Sequence, residues 1–187
     1  MQIDPTELAG VFMLTPRRFG DDRGWFMESY NAQRLAQATG ITTTFVQDNL
    51  SFSARPGTVR GLHFQTPPAA QAKLVSVVVG AVFDVVVDLR HGSPTFGRHA
   101  AVILTAAAGN QLYVPEGFAH GYCTLEPETV FAYKVSAAYA PACDAGILWN
   151  DPALAIPWPV AAAAAVVSDK DSRLPCLAAL PQPVFFP

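Results

Sequence analysis

Between residues 74 and 136 the chain alternates short apolar runs with turn residues. The stretches 74–79, 82–88, 100–104, 111–114, 121–125 and 129–136 are rich in Val, Leu, Phe and Tyr, and each is about one strand long. Gly80-Ala81, Gly92-Ser93-Pro94, Gly109-Asn110 and Pro115-Glu116-Gly117 supply turn chemistry between them. Strands in such close succession predict an all-β sandwich or barrel. Only 31–39, with Leu35 and Ala38 on one face and Gly40 as a stop, reads as a helix. The alanine-rich 160–167 follows Pro157 and Pro159 and is read as a connection.

Composition narrows the class. The 187 residues are 51% hydrophobic and only 14% charged, which argues against disorder and against a coiled coil. Length and the lack of a composition shift predict one domain over 1–187. A net charge of −3 without a basic stripe gives no footprint for nucleic acid. The apolar runs are too short to span a membrane as helices. Cys123, Cys143 and Cys176 are odd in number and far apart, so neither a disulfide framework nor a cysteine zinc site is indicated, and a cytoplasmic location is expected.

Two of the four histidines sit in informative contexts. Gly109, five residues, Pro115-Glu116-Gly117, two residues and His120 resemble the second signature of cupin barrels, with the Pro-Glu-Gly turn reversing the chain and His120 facing the cavity. Gly57 and His63 keep the spacing of the first signature, but Gln65 replaces its second histidine and no glutamate follows. The expectation is a cupin jelly roll with no metal and no other cofactor, in which His63 is free to carry protons.

The resemblance then narrows. Phe19-Gly-Asp-Asp-Arg23-Gly-Trp-Phe26-Met-Glu28, Gln47-Asp-Asn49-Leu-Ser51, Arg60-Gly-Leu-His63-Phe-Gln65, Lys73, Phe83-Asp84 to Arg90, Pro115 to Gly121, Ala132-Tyr133-Lys134, Tyr139-Ala-Pro141, Trp149 to Pro152 and Ser168-Asp-Lys-Asp171 occur in one order. Together they resemble the dTDP-4-dehydrorhamnose 3,5-epimerases from about residue 10 to residue 175. That family acts on a nucleotide-linked 4-keto-6-deoxyhexose, whose ketone acidifies the hydrogens on both flanking carbons. Epimerisation there needs a base, an enolate stabiliser and an acid on the opposite face, and no redox cofactor.

The resemblance implies roles for individual residues. His63 is the base, oriented by Asp171; Lys73 lies at the ketone oxygen; Tyr133 is the acid. Arg60 and His120 contact sugar and phosphates, and Tyr139 offers an aromatic surface. Gln47 and Asn49 bind the nucleotide. Phe19, Arg23, Phe26 and Glu28 cross to a neighbouring subunit, so a homodimer with shared active sites is implied.

Taken alone, several of these residues have plainer explanations. An isolated strand histidine is more often a satisfied buried group. Lys73 could snorkel at a strand start, and Tyr133 could be a sheet aromatic. Nothing local separates Asp171 from Asp169 as the partner of His63. Asp84 and Asp88 share one strand face and receive no role; Cys123 reads as a small buried hydrophobe. A relative inverting one carbon, and a non-catalytic nucleotide-sugar-binding barrel, remain as alternative readings.

Overall fold

The runs expected as strands between 74 and 136 all form strands. A computed structural model describes residues 1–180; residues 181–187, the end of the expected domain, lie outside the described residues. The strands are β1 (Gln2–Pro5), β2 (Phe12–Thr15), β3 (Arg18–Asp21), β4 (Gly24–Met27), β5 (Gln47–Ser53), β6 (Val59–Gln65), β7 (Lys73–Val79), β8 (Ala81–Asp88), β9 (His99–Thr105), β10 (Gln111–Val114), β11 (Phe118–Thr124), β12 (Thr129–Val135) and β13 (Asp144–Gly146). A six-stranded sheet has the order β1-β2-β10-β7-β12-β5, and a five-stranded sheet the order β13-β6-β11-β8-β9. Strands β3 and β4 form a separate hairpin. Sequence neighbours repeatedly fall in opposite sheets, which gives the jelly roll.

The sheets meet through Val75, Val77, Leu112 and Phe131 on one side and Val82, Val86, Leu104 and Tyr122 on the other. Full burial of such side chains stabilises by roughly 1.5–3 kcal/mol each, so this interior dominates the fold. The outer face of the five-stranded sheet is covered as well. Leu62, Val85, Val87 and Ala119 pack beneath Ile147, Leu154 and Leu180 of the C-terminal segment. With both faces buried, β8 reads as a nearly continuous apolar run instead of alternating.

The one α-helix among the described residues, α1 (Ala32–Thr39), starts where Asn31 accepts the Arg34 amide and stops at Gly40, whose φ of 75° suits glycine. Its apolar face packs Leu35 against a cluster containing Leu14, Leu74 and Tyr113. The 160–167 stretch is a turn and not a helix, as its prolines implied. It ends in a parallel bridge between Thr58 and Val166. The Val59 amide donates to Val166 and the Val166 amide to Gly57, each at 2.9 Å. These bonds hold the following Ser168–Asp171 segment against β6.

The outer face of the six-stranded sheet is different. Leu50, Phe52 and Val78 are 73%, 57% and 55% exposed. Strand β5 is therefore inverted: polar Gln47, Asn49 and Ser51 alternate with the more exposed Asp48, Leu50 and Phe52. Beside this face, the hairpin β3–β4 carries exposed Phe19, Trp25 and Phe26 and is anchored by Arg18, which lies over the Trp25 ring and donates to the carbonyls of Ala106 and Ala107.

Candidate active site

Strands β6 and β11 approach unusually closely because glycine faces glycine. A Cβ on Gly61 would lie 2.6 Å from the Gly121 Cα, and Gly61 has a φ of +130° that other residues rarely adopt. A Cβ on Gly121 would lie 2.7 Å from the Arg60 carbonyl oxygen. The register shifts between His120 and Tyr122 at this point. Beside it His63 and His120 form a cross-strand pair, which puts both imidazoles on the same face. That face lines a cavity of about 590 Å³ between the two sheets.

Each imidazole is tied to a buried carboxylate through Nε2. His63 Nε2 lies 2.8 Å from Asp171 Oδ1, and the other Asp171 oxygen accepts the Gly61 amide at 3.1 Å. Burial pushes the Asp171 carboxyl up, but the hydrogen bond and charge of His63, with the Gly61 amide and Ser168, hold it below the usual carboxylate range. Asp169 is instead exposed and only loosely opposed by Arg173 at 3.9 Å. The residue that partners His63 is Asp171.

His120 Nε2 lies 2.9 and 3.0 Å from the two oxygens of Asp84, which is wholly inaccessible to solvent. The His120 ring stacks near Phe131, with centroids 6.2 Å apart. Asp84, to which the sequence assigns no role, is marked there by a charge inside an apolar run and by its place in the segment from Phe83 to Arg90.

The opposite wall comes from the six-stranded sheet. Lys73 projects from the start of β7 and its Nζ donates to the His63 carbonyl at 3.1 Å. Burial lowers its pKa to about 8, against the opposing pull of Asp84 and Asp144. Tyr133 on β12 lines the cavity; burial raises its phenol, while Arg60 counteracts. Arg60 reaches from β6 toward β5, donating to Ser53 Oγ at 3.2 Å and to the Phe52 carbonyl at 2.9 Å. Tyr139 stands at the rim, its hydroxyl donating to Asp144 at 3.2 Å, and Lys170 pairs with the same carboxylate.

The cavity therefore gathers His63, Asp171, Tyr133, Lys73, Arg60, His120 and Tyr139. Gln47 and Asn49 stand next to it on β5, with Gln47 donating to Asn49 at 2.8 Å and accepting the Tyr139 amide at 3.2 Å. Phe19, Arg23, Phe26 and Glu28 do not line the cavity of their own chain. Arg23 pairs with Asp21 at 2.6 Å, and Glu28 lies 3.4 Å from Arg34. Gln65, where the first cupin signature has a histidine, spends its amide on the backbone: Nε2 donates to Ala69 and Ala138, and Oε1 accepts from Ala140. Cys123 is a buried thiol that burial pushes up to about 11, as suits a packing residue.

Chemically the cavity offers an imidazole with a fixed carboxylate on one wall, a phenol on the other, and an ammonium beside the imidazole. These are the parts needed to take a proton from one face of a carbon next to a carbonyl and return one to the other.

Comparison with known proteins shows the family. Residues 5–179 match the family model described as dTDP-4-dehydrorhamnose 3,5-epimerase. The protein of that name from Shigella flexneri is 48% identical over 171 residues, covering 91% of this chain and 93% of its own. The Bacillus anthracis enzyme of that name, solved with TDP and pyrophosphate bound, is 53% identical with a TM-score of 0.91, over 94% of this chain and 99% of the other. A Legionella pneumophila dTDP-6-deoxy-D-glucose-3,5-epimerase, solved in complex with dTDP-4-keto-L-rhamnose, is 42% identical with a TM-score of 0.93, over 98% and 96% of the two chains. The chain belongs to the dTDP-4-dehydrorhamnose 3,5-epimerase family.

Proposed function

We propose that this protein converts dTDP-4-dehydro-6-deoxy-D-glucose to dTDP-4-dehydro-L-rhamnose by inverting carbons 3 and 5. The ketone at carbon 4 acidifies both hydrogens. His63 takes the proton, and Asp171 holds its ring in place and answers the positive charge that develops. The electron pair moves onto the ketone oxygen, where the Lys73 ammonium stabilises the enolate; such a contact is typically worth about 3–4 kcal/mol of barrier. Tyr133 delivers a proton from the opposite face, and the carbon inverts. Loss of one proton and gain of another leaves the composition unchanged.

The observation that carries this reading is the placement of His63 and Tyr133 on opposing sheets of one cavity. Base and acid on the same wall would return the proton to the side it left. Arg60 suits a pyrophosphate because its forked donors match paired oxygens, His120 faces the sugar, and Tyr139 offers its ring at the rim.

The active unit is a homodimer. A sheet face with Leu50, Phe52 and Val78 uncovered is costly for a lone chain. Next to it, a groove of about 580 Å³ is lined by Trp25, Leu50, Leu74 and Val78 among others. Pairing through this face supports the hairpin residues Phe19, Arg23, Phe26 and Glu28 as nucleotide contacts given to the neighbouring site. Among the described residues no helix is long and apolar enough to cross a membrane. Three free cysteines fit work in the reducing cytoplasm.

The test is incubation with dTDP-4-dehydro-6-deoxy-D-glucose in heavy water, followed by NMR of the product. Deuterium at carbons 3 and 5 with the L-rhamno configuration is the expected result. Uptake at one carbon only would mark a monoepimerase, and no uptake a binding protein.

A further inference from the structure

Three carboxylates stand at the proton-transfer site, and two have obvious partners. Asp171 is answered by His63 and the Gly61 amide, and Asp144 by Lys170 and Tyr139. Asp84 is the third. It is fully buried, and its one side-chain hydrogen-bond partner among the described residues is His120, whose Nε2 lies within 3.0 Å of both oxygens. Across the cavity, the Lys73 ammonium is nearly as buried and makes its hydrogen bond to a backbone carbonyl, not to a carboxylate. Burial pushes the Asp84 carboxyl up, opposed by His120 and then by the Lys73 charge, and burial pulls the Lys73 ammonium down, opposed by Asp84 and then by Asp144.

We propose that Asp84 is a positioning residue for the reaction, serving two groups with one carboxylate. Its charge is the counter-ion that keeps the Lys73 ammonium protonated beside the sugar ketone. Its oxygens fix the tautomer of His120, with Nε2–H donated to Asp84 and Nδ1 left as an acceptor for a sugar hydroxyl. An ammonium in a site removed from water needs a nearby anion, and the other anion acting on it, Asp144, is already shared by Lys170 and Tyr139. Of the other titratable groups lining the cavity, Arg60, His63, His120, Tyr122 and Tyr133 carry no carboxylate, and Asp171 is already held by His63 and the Gly61 amide. The identity of the sugar rests on the epimerase reading above; the linkage of Asp84 to Lys73 and His120 does not.

The chain contains three lysines, at 73, 134 and 170, and four histidines, so both halves can be read by NMR without turnover. In protein labelled at lysine 13Cε, Asp84→Asn should move the Lys73 titration midpoint down by about one pH unit or more. Lys170, paired with Asp144, should stay in place. His120→Gln should leave the Lys73 midpoint nearly unchanged, because the carboxylate remains. In the wild type, 15N spectra should show His120 as the Nε2–H tautomer, a measurement that needs no variant to fold. A folded Asp84→Asn protein with an unmoved Lys73 midpoint, or a wild-type His120 in the Nδ1–H form, would overturn the proposal. If both NMR results hold while the wild type exchanges no substrate hydrogen, the epimerase reading fails and the role of Asp84 stands.

Discussion

Nε2 of His63 lies 2.8 Å from Oδ1 of Asp171, and the same carboxylate accepts the Gly61 amide through its other oxygen. The ring is thereby fixed at both the side chain and the strand that carries it. Asp171→Asn keeps the shape but replaces the anion with a neutral amide. Its rate of substrate hydrogen exchange should fall by about 10²–10⁴-fold, as expected when a catalytic base loses its orienting carboxylate. Asp169→Asn should exchange within about two-fold of wild type, since exposed charges away from the site contribute little. Equal losses in the two variants would refute the pairing.

Lys73 sets a limit on alkaline activity. Its ammonium must be charged to stabilise an enolate, and its pKa is lowered to about 8. As pH rises through that value the positive charge disappears, so the rate should decline on the alkaline side. Lys73→Gln should cost about 10²–10³-fold in kcat and abolish that limb. A pH–rate profile flat to well above 9 in the wild type would contradict the assignment.

The contact of Gly61 with Gly121 is a structural requirement with a functional consequence. Gly61→Ala forces a Cβ to within 2.6 Å of backbone and strains a residue whose φ is +130°. A destabilisation of about 2–4 kcal/mol is expected, read as a lowered melting temperature. Melting at the wild-type temperature would show that the strands can separate without cost.

Asp88 predicts how the fold responds to acid. Burial alone would raise its carboxyl, but Arg90, Ser93 and Thr95 hold it down to about 2. A depressed carboxyl stabilises fully above its unfolded pKa and loses that contribution as pH falls through the folded one. The contribution is about 2 kcal/mol, present above roughly pH 4 and gone near pH 2. Asp88→Asn should therefore melt below the wild type at neutral pH, with the gap closing in acid. A gap that does not change with pH would attribute the loss to packing alone.

The exposed face of the six-stranded sheet predicts the oligomer. Leu50→Glu places a charge where Leu50 is 73% exposed, so a free chain should tolerate it easily. In a dimer joined there it should give a monomer by size-exclusion chromatography with light scattering, and activity should be lost with it. A fully active dimer would place the interface elsewhere.

Much of this architecture is legible in the order of residues. Val82–Val87 announces a strand buried on both faces, and Asn31 with Gly40 brackets the helix. Strand β6 is harder to read, because Arg60, Gly61 and His63 interrupt its apolar pattern for the sake of the cavity. Strand β5 misleads because its polar residues point inward and its leucine and phenylalanine outward; the cavity and the uncovered sheet face invert the usual rule. Asp171 and Asp169 share the same charged run, and what separates them is contact distant in sequence: Val166 is tied to Thr58 and Val59, and Asp171 accepts the Gly61 amide beside His63. Asp84 receives no role from the sequence because a buried pair across two strands shows in each strand only as one polar residue among apolar neighbours.

The most direct test follows the hydrogen itself in the His63→Ala variant. In heavy water, with the nucleotide-sugar bound as tightly as in the wild type, exchange at both carbon 3 and carbon 5 should cease. Continued uptake of deuterium at either carbon would mean that another group removes the proton, and the account built on His63 would be wrong.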